Sequence, residues 1–388
     1  MRKGIPCTVI RGGTSKGLYL MEKDIPAPGA VRDKVLLRLM GSPDPRQIDG
    51  LGGATSVTSK VAIIAPSSRP DADVDYTFAQ VNITRPSVSY AGNCGNISSG
   101  VGLFAIEQGL ITVADGPVTV RIFNTNTQKV MLAHMEVRNG QVVEAGDAAI
   151  PGVPGTAAPV RLEILDPAGS GCHSLLPTGN PTDFLEVEGF GVVEVSLVDA
   201  ANPLVFVDGR VFGLQGNELA ADLERDRALL ERFEMVRGAA ALRLGLIEDA
   251  SLSASYSPGV PKLTFLAAPT DYRTPGGDLI SAEDMDLHGQ MLSMQKPHQT
   301  YALTGAMCTA AAAAIPGTLV QRMMRASADP SCLRIGHPGG IMEAGAFCHK
   351  HEEQIVIDSV YGIRTARMLL QGQAFLPEEL CLRDKISE

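Results

Sequence analysis

The stretch Y-A-G-N-C-G-N-I-S-S-G-V-G-L-F-A-I-E-Q-G, residues 90–109, places a cysteine at the start of a predicted helix. Asn96 is a favourable N-cap residue, and Gly109 suits the C′ position that follows a helix. Apolar residues recur between them at i, i+4, i+7 and i+8, at Ile97, Val101, Phe104 and Ala105. The pattern predicts a helix that packs one face against a core, with Cys94 just before its first turn.

Two interpretations of Cys94 follow from this position. The unpaired N–H groups and the positive dipole end of a helix stabilise a thiolate, which can act as an acid/base group. A free cysteine is equally often a small buried hydrophobic residue. The neighbouring glycines and asparagines allow a ligand to approach the backbone closely, and this favours a functional role.

Length and composition predict a folded protein of two domains. The chain has 388 residues, of which 45 % are hydrophobic and 20 % charged, and single cores seldom grow beyond roughly 250 to 300 residues. The segment P-T-G-N-P at 177–181 is the favoured boundary. We therefore expect an N-terminal lobe over 1–182 and a C-terminal lobe over 183–388, with the C-terminal tail free to return to the first lobe.

Charge and cysteine usage exclude several classes of function. The net charge of −10 argues against a nucleic-acid partner, which requires a clustered basic face. No apolar run is long enough for a signal peptide or a membrane span, so we expect no membrane partner and a cytoplasmic location. Seven cysteines without a C-x-x-C pair indicate free thiols rather than a disulfide framework or a zinc site. We predict no metal site, although C-H-K-H at 348–351 contains ligand-type residues.

A glycine-rich loop near the N-terminus is suited to binding anions. The segment R-G-G-T-S-K-G at 11–17 lies between two predicted strands and offers backbone N–H groups, hydroxyl donors and an ammonium, at Gly13, Thr14, Ser15 and Lys16. It lacks the order of a P-loop. A plain hairpin turn is the alternative interpretation.

Lys60 stands where a polar loop enters the predicted strand V-A-I-I at 61–64. Burying an isolated ammonium there is costly, which makes Lys60 a candidate base or anion anchor. A lysine that extends its charged end to solvent from a strand terminus is the commoner structural alternative.

The second half has a similar but weaker pattern. An alanine-rich helix over 304–314 follows a polar loop that contains His298, and a glycine-rich turn at 336–340 contains His337. Residues 287–295 are also predicted to be helical. Each half therefore combines strands with one helix that a polar loop precedes, without any repeat of individual residues.

Several motifs together resemble a known family. They are R-G-G-T-S-K-G at 11–17, G-S-P-D-P-R-Q-I-D-G-L-G-G-A-T-S at 41–56, T-S-K at 58–60, G-N-C-G-N at 92–96, P-T-G-N at 177–180, A-I-P-G-T at 314–318 and G-H-P-G-G at 336–340. In this order, over nearly the whole chain, they resemble the 2-methylaconitate cis-trans isomerase (PrpF-like) family, which includes 4-oxalomesaconate tautomerases, methylitaconate isomerases and aconitate isomerases.

The resemblance implies an α/β (α+β) fold of the diaminopimelate epimerase type, with two related lobes that each wrap a curved mixed sheet around a central helix. It also implies a cofactor-independent isomerase of small unsaturated tricarboxylates, which needs neither a metal nor pyridoxal phosphate nor nicotinamide. The matching acid/base residues are Lys60 and Cys94. Diaminopimelate epimerases use two cysteines, but the second loop here, H-Q-T-Y at 298–301, has none, which makes a two-thiol epimerase an unfavoured alternative.

An anionic substrate needs hydrogen-bond donors around these two residues. Besides the 12–17 loop, the expected binding residues are Asn93, Gly95 and Asn96 in the first half and Arg273, His298, His337, Gly339 and Gly340 in the second. The expected partner is a small polycarboxylate, and a homo-oligomer is one open possibility. Two alternative functions stay open. One is a carboxylate-binding or aconitase-accessory protein without turnover, and the other is an epimerase of an amino or hydroxy acid.

Overall fold

The structure is a computed structural model that describes residues 4–90, 92–352 and 354–377. The chain divides into two compact units, Met1–Leu162 with Arg364–Glu388, and Glu163–Ile363. We refer to them as unit 1 and unit 2. The predicted boundary of the folding domains after residue 182 stays a prediction, because compactness alone does not define an independently folding domain.

Strands make up most of the regular secondary structure in both units. The first eleven are β1 (Gly4–Gly12), β2 (Ser15–Met21), β3 (Lys60–Pro66), β4 (Val74–Val81), β5 (Val88–Ser89), β6 (Gly116–Asn124), β7 (Lys129–Arg138), β8 (Gln141–Val142), β9 (Ala148–Ala149), β10 (Thr156–Ala157) and β11 (Val160–Leu165). The next eleven are β12 (Asp183–Val187), β13 (Gly191–Asp199), β14 (Pro203–Asp208), β15 (Lys262–Ala267), β16 (Tyr272–Arg273), β17 (Leu279–Ile280), β18 (Leu287–Ser293), β19 (Lys296–Pro297), β20 (Leu333–His337), β21 (Gly340–His351) and β22 (Gln354–Arg364). Strand β23 (Ala366–Phe375) belongs to unit 1 again.

The helices are fewer than the strands. The α-helices are α1 (Ala30–Met40), α2 (Gly95–Ser98), α3 (Val101–Glu107), α4 (Ala220–Arg225), α5 (Arg227–Arg243), α6 (Ser253–Tyr256), α7 (Leu303–Ala314) and α8 (Leu319–Met323). Short 3-10 turns occur at Glu22–Asp24, Gly209–Phe212, Ala250–Leu252, Ala282–Asp284 and Pro330–Cys332. Within the described ranges, no helix combines the length and the apolar character that crossing a bilayer requires.

Unit 1 contains a mixed sheet with the strand order β23-β1-β2-β3-β4-β6-β7-β8. Strand β1 pairs antiparallel with both β23 and β2, and β2 pairs parallel with β3. Strand β4 then pairs antiparallel with β3 and parallel with β6, and β7 pairs antiparallel with β6 and β8.

Unit 2 repeats this topology in the strand order β12-β13-β14-β15-β18-β20-β21-β22. The successive pairings are antiparallel, antiparallel, parallel, antiparallel, parallel, antiparallel and antiparallel. This is the same series as in unit 1, so β3 corresponds to β15 and β4 to β18. The similarity between halves that the sequence only suggests is therefore a repeat of strand pairing, and the prediction of two related lobes is confirmed.

Each unit has helices in two corresponding places: between the third and fourth strands of the sheet order, and after a short hairpin formed with the fifth strand. Helix α1 packs with β1, β2 and β3 in one apolar core, and helix α5 packs with β13, β14 and β15 in the other. Helices α2 and α3 follow β5, as α7 follows β19. Helix α7 is buried on all sides from Leu303 to Ala313, which its small side chains permit.

Two predictions about elements are wrong. The predicted helix over 287–295 is absent, because Leu287–Ser293 form strand β18. The predicted helix over 97–109 is interrupted, since α2 begins at Gly95 and ends at Ser98 before α3 starts at Val101. Cys94 therefore occupies the N-cap position of a single turn, and Ser99 and Gly100, which keep right-handed helical dihedral angles, connect this turn to α3.

Candidate active site

The glycine-rich loop is the tight turn between β1 and β2, in which Gly12 pairs with Ser15. A Cβ atom at Gly12 would collide with the carbonyl oxygen of Asn96, and one at Gly13 with the Asn96 side chain. Gly13 also has a positive φ of 49°, which L side chains rarely adopt. The glycines are thus required because the turn packs directly against the residues that follow Cys94.

Asn96 joins this turn to Arg364, the first residue of the C-terminal segment that belongs to unit 1. Its Nδ2 donates to Thr14 Oγ1 at 2.9 Å and to Ser15 Oγ at 3.3 Å. Its Oδ1 accepts a hydrogen bond of 2.9 Å from Arg364 Nε. The prediction that Asn96 is the N-cap is wrong, because its side chain instead cross-links the turn and the arginine.

Cys94 is half-buried and held by its own helical turn. Its carbonyl oxygen accepts the Ser98 N–H at 2.9 Å, and Ser98 Oγ lies 3.0 Å from the same oxygen and 2.9 Å from Asn93 Oδ1. Asn93 Nδ2 in turn contacts the Met131 sulfur at 3.3 Å. Asn93, Cys94 and Gly95 therefore form one fixed segment beside the turn.

Three ionisable side chains interact electrostatically with Cys94. Burial raises the pKa of Tyr19 and of Tyr76 well above the usual phenol value, and the nearby Cys94 raises both further. Burial lowers the pKa of Arg364 to about 10, while the attraction of Cys94 opposes this change. Both phenols stay neutral at neutral pH, and Arg364 stays charged.

Lys60 is the first residue of β3 and is also half-buried. Its Nζ lies 2.6 Å from Gln80 Oε1 and 5.1 Å from the centroid of the Phe78 ring. Gln80 Nε2 donates to the carbonyl oxygens of Ser56 and Ser59 at 3.2 and 3.0 Å. These bonds fix the Gln80 amide so that its oxygen faces the lysine.

Gly17 connects Lys60 with the Cys94 segment. It pairs with Lys60 across β2 and β3, and a Cβ at Gly17 would lie 2.9 Å from Ile97 Cδ1 and 3.0 Å from the Lys60 carbonyl oxygen. Lys16, also half-buried, donates its N–H to the Val57 carbonyl oxygen at 2.9 Å. Unit 1 thus gathers all of its predicted site residues around the β1–β2 turn and the start of β3.

In unit 2, four of the five predicted residues lie in two neighbouring segments: His298 is in the loop before α7, and His337, Gly339 and Gly340 are in the 336–340 turn. His337 is fully buried, and its Nδ1 accepts the Gly339 N–H at 3.1 Å. The Tyr272 hydroxyl lies 2.7 Å from the carbonyl oxygens of both His337 and Gly340. His298 Nδ1 accepts the Thr300 N–H at 3.1 Å.

The loop that contains His298 and Thr300 approaches the 336–340 turn. A Cβ at Gly339 would lie 2.8 Å from Thr300 Cγ2. Arg273 differs from the other predicted residues, since its side chain is exposed and its Nη1 donates to the Gly277 carbonyl oxygen at 2.8 Å. The carboxylate clamp expected of Arg273 stays a prediction.

Unit 2 has no counterpart of Cys94. The N-cap position of α7, which corresponds to Cys94 in the repeated topology, is Ala302. Cys308 lies inside α7 and is fully buried, as predicted, and burial raises its pKa well above the usual thiol value. The repeat therefore carries a thiol at this position in unit 1 alone.

Sequence reasoning missed Gln80 and Arg364. Neither has a local signal, because Gln80 contacts Lys60 across a strand pair and Arg364 reaches Asn96 from 268 positions further along the chain. For Arg364, the one sequence signal is the position of an arginine at the end of an apolar strand pattern, β22. Across the residues that the structure describes, no group of three or more His, Cys, Asp or Glu side chains is arranged to hold a metal ion.

Comparison with known proteins agrees with this architecture. The chain is 43 % identical to 3-methylitaconate isomerase from Eubacterium barkeri over 96 % of its length and 97 % of the relative. It is 41 % identical to 2-methyl-aconitate isomerase from Shewanella oneidensis, covering 96 % of this chain and 97 % of the other. It is 42 % identical to 4-oxalomesaconate tautomerase from Pseudomonas putida, covering 95 % of each.

Solved structures extend the comparison to the fold. A crystal structure of methylitaconate-delta-isomerase matches with a TM-score of 0.86 and 41 % identity, over 100 % of this chain and 99 % of that one. A hydroxyproline epimerase from Agrobacterium vitis matches with a TM-score of 0.57 and 14 % identity, over 97 % and 94 % of the two chains. The second likeness shows a shared fold alone.

Fold and relatives together define the class of protein as an isomerase with the proline racemase and diaminopimelate epimerase-like fold. The predicted fold and the predicted enzyme class are confirmed. Residues 2–377 match the family described as PrpF protein, and the chain belongs to that family.

Proposed function

We propose that this enzyme isomerises a small unsaturated tricarboxylate without a cofactor, with Lys60 and Cys94 as its acid/base pair. The observation that carries the proposal is the 2.6 Å contact between Lys60 Nζ and Gln80 Oε1. The partner that holds the lysine is a neutral amide, and this contact fixes the Nζ atom at the start of β3, where we place the general base.

The reaction balances with these two residues once proton exchange with water restores them after each turnover. Lys60 Nζ removes a proton from a carbon next to the C=C bond, and the electron pair delocalises through the double bond into a carboxylate. Return of a proton to the distal carbon moves the double bond, whereas return to the first carbon after rotation exchanges cis for trans. Cys94 Sγ donates the proton that the distal carbon receives.

The names of the relatives support the substrate class. Methylitaconate, methylaconitate and oxalomesaconate are all unsaturated polycarboxylates. The hydroxyls of Thr14 and Ser15 and the buried Arg364 supply hydrogen-bonding and positive groups for such an anion. The absence of a thiol at Ala302 argues against the two-cysteine chemistry of an epimerase. Arg273, His298, His337, Gly339 and Gly340 remain proposed binding residues on unit 2.

We also propose a cytoplasmic location. The six cysteines in the described part of the chain are all free, as expected in a reducing compartment. Cys381 lies outside the described residues. Cell fractionation that recovers the enzyme with periplasmic or secreted proteins would contradict this location.

The first experiment replaces Lys60 with Met and Cys94 with Ser and follows trans-aconitate, 2-methylaconitate, methylitaconate and 4-oxalomesaconate by proton NMR in D₂O. Loss of an acid/base group lowers turnover by roughly a hundred- to ten-thousand-fold. Lys34→Met, on the exposed face of α1, is the control and should keep full activity. Full activity of the Lys60 variant would remove it from the mechanism, and wild-type enzyme that binds these acids without deuterium exchange would contradict catalysis itself.

A further inference from the structure

A polar cavity lies in unit 1, and its lining includes neither Lys60 nor Cys94. Its volume is about 300 Å³, and its lining includes Arg11, Glu144, Thr156, Thr365 and Arg367. This volume is at the lower end of the roughly 300 to 1,000 Å³ that small-molecule sites occupy. None of the five residues has a part in the proposed reaction.

The fold places two positive charges against each other in this cavity. Arg11 of β1 and Arg367 of β23 are directly paired across the antiparallel strands. Like charges in that arrangement repel and destabilise the strand pair. Burial lowers the pKa of Arg11, and the repulsion from Arg367 lowers it further.

Internal partners do not neutralise this pair. Arg11 Nη1 donates to the Gly13 and Thr365 carbonyl oxygens at 3.1 and 2.9 Å and to Thr365 Oγ1 at 3.0 Å, all of them uncharged acceptors. Glu144 attracts Arg11, but its Oε1 accepts the backbone N–H of Met368 at 2.6 Å. Two arginines against one glutamate leave the lining with an excess positive charge.

We propose that this cavity binds a small oxyanion between Arg11 and Arg367. Guanidinium groups bind carboxylate and phosphate oxygens through paired N–H donors, and the hydroxyl groups of Thr156 and Thr365 add donors of the right kind. A bound anion removes the repulsion between the arginines. Arg11 also donates a hydrogen bond to the Gly13 carbonyl oxygen of the β1–β2 turn. An anion bound to Arg11 is therefore linked through this bond to the turn that Asn96 contacts.

Titration calorimetry on the full chain, with succinate and inorganic phosphate as separate probes, tests the proposal. We expect saturable binding at one site per chain in an enzyme that carries Lys60→Met and Cys94→Ser, which keeps the result independent of the proposed function. Arg367→Gln, at an exposed position, should weaken that binding about tenfold or more. Arg85→Gln, an exposed arginine of the same unit outside the lining, should leave it unchanged.

Chemical modification locates the site directly. Phenylglyoxal should modify Arg367 in the free protein, and the tighter-binding probe should protect it, as read by peptide mass mapping. Binding of either probe with this protection supports the oxyanion site, and the tighter one identifies carboxylate or phosphate as its source. No saturable binding, equal binding by Arg367→Gln, or binding without protection of Arg367 would each overturn the proposal.

Discussion

At the scale of single residues, the site depends on side chains that hold other side chains. Gln80 orients Lys60 while its own amide is fixed by two backbone carbonyls. Asn96 similarly stands between Arg364 and the hydroxyls of the β1–β2 turn. Substitutions at Gln80 and Arg364 therefore test the mechanism without removing the proposed acid/base groups.

Gln80→Glu should lower kcat/KM near neutral pH about tenfold or more. The new carboxylate, in contact with Lys60, favours the ammonium, which cannot accept a proton. Activity should recover as the pH rises, so the acid limb of the kcat/KM profile moves to higher pH. Gln80→Met, which loses the acceptor without adding charge, is the matched comparison. An unchanged profile for Gln80→Glu would show that Lys60 is not the base.

Arg364→Lys should lower kcat/KM about tenfold or more. Lysine keeps the positive charge, but it lacks the planar guanidinium whose Nε–H donates to Asn96. Arg364→Met removes the charge as well and should also slow alkylation of Cys94 by iodoacetamide. Arg85→Lys is the exposed control. Thermal unfolding measured on each variant separates loss of fold from loss of function, and a fully active, folded Arg364→Lys enzyme would contradict the positioning role.

At the scale of elements, the amphipathic helix α1 could be predicted from the sequence, whereas the fully buried strand β18 could not. The spacing of apolar residues from Val31 to Met40 predicts a short amphipathic helix, and α1 runs from Ala30 to Met40. Strand β18 is buried at every residue from Leu287 to Leu292. A strand that is covered on both faces lacks the alternation that distinguishes it from a buried helix, which explains the wrong prediction for 287–295.

The β1–β2 turn should not tolerate a side chain at Gly12. A Cβ there collides with the Asn96 backbone, which a rotamer change cannot relieve. Gly12→Ala should therefore lower the free energy of unfolding by roughly 1 to 3 kcal/mol and reduce activity as the turn moves away from Asn96. Gly372→Ala on β23, where the nearest atom is 3.9 Å from the new Cβ, is the control. Equal urea midpoints for the two variants would show that the contact is not constraining.

At the scale of the whole molecule, a buried histidine in unit 2 makes stability depend on pH. His288 is fully buried, and neither ring nitrogen has a hydrogen-bond partner in the described part of the chain. Burial lowers its pKa from 6.5 to about 4. Between these values the unfolded chain binds a proton that the folded chain excludes, so stability is complete above pH 6.5 and falls as the pH decreases towards 4.

Urea unfolding at about pH 7 and about pH 5 should show a loss on the order of 2 kcal/mol from His288. His288→Asn should reduce this difference, whatever its effect at neutral pH. His351→Asn, at an exposed position, should not. An unaltered pH dependence in His288→Asn would contradict the assignment.

The sequence alone determined the local features of this protein: the turn glycines at 12 and 13, the cysteine at the start of a helical turn, the lysine at the start of a strand, and the motifs of the family. Each depends on backbone conformation or residue order within a few positions. The tertiary structure alone decided that Gln80 holds Lys60, that Arg364 reaches Asn96, and that Ala302 stands where unit 1 has Cys94. These relations join residues through strand pairing and packing over long sequence separations, and such contacts leave no periodic pattern in the chain.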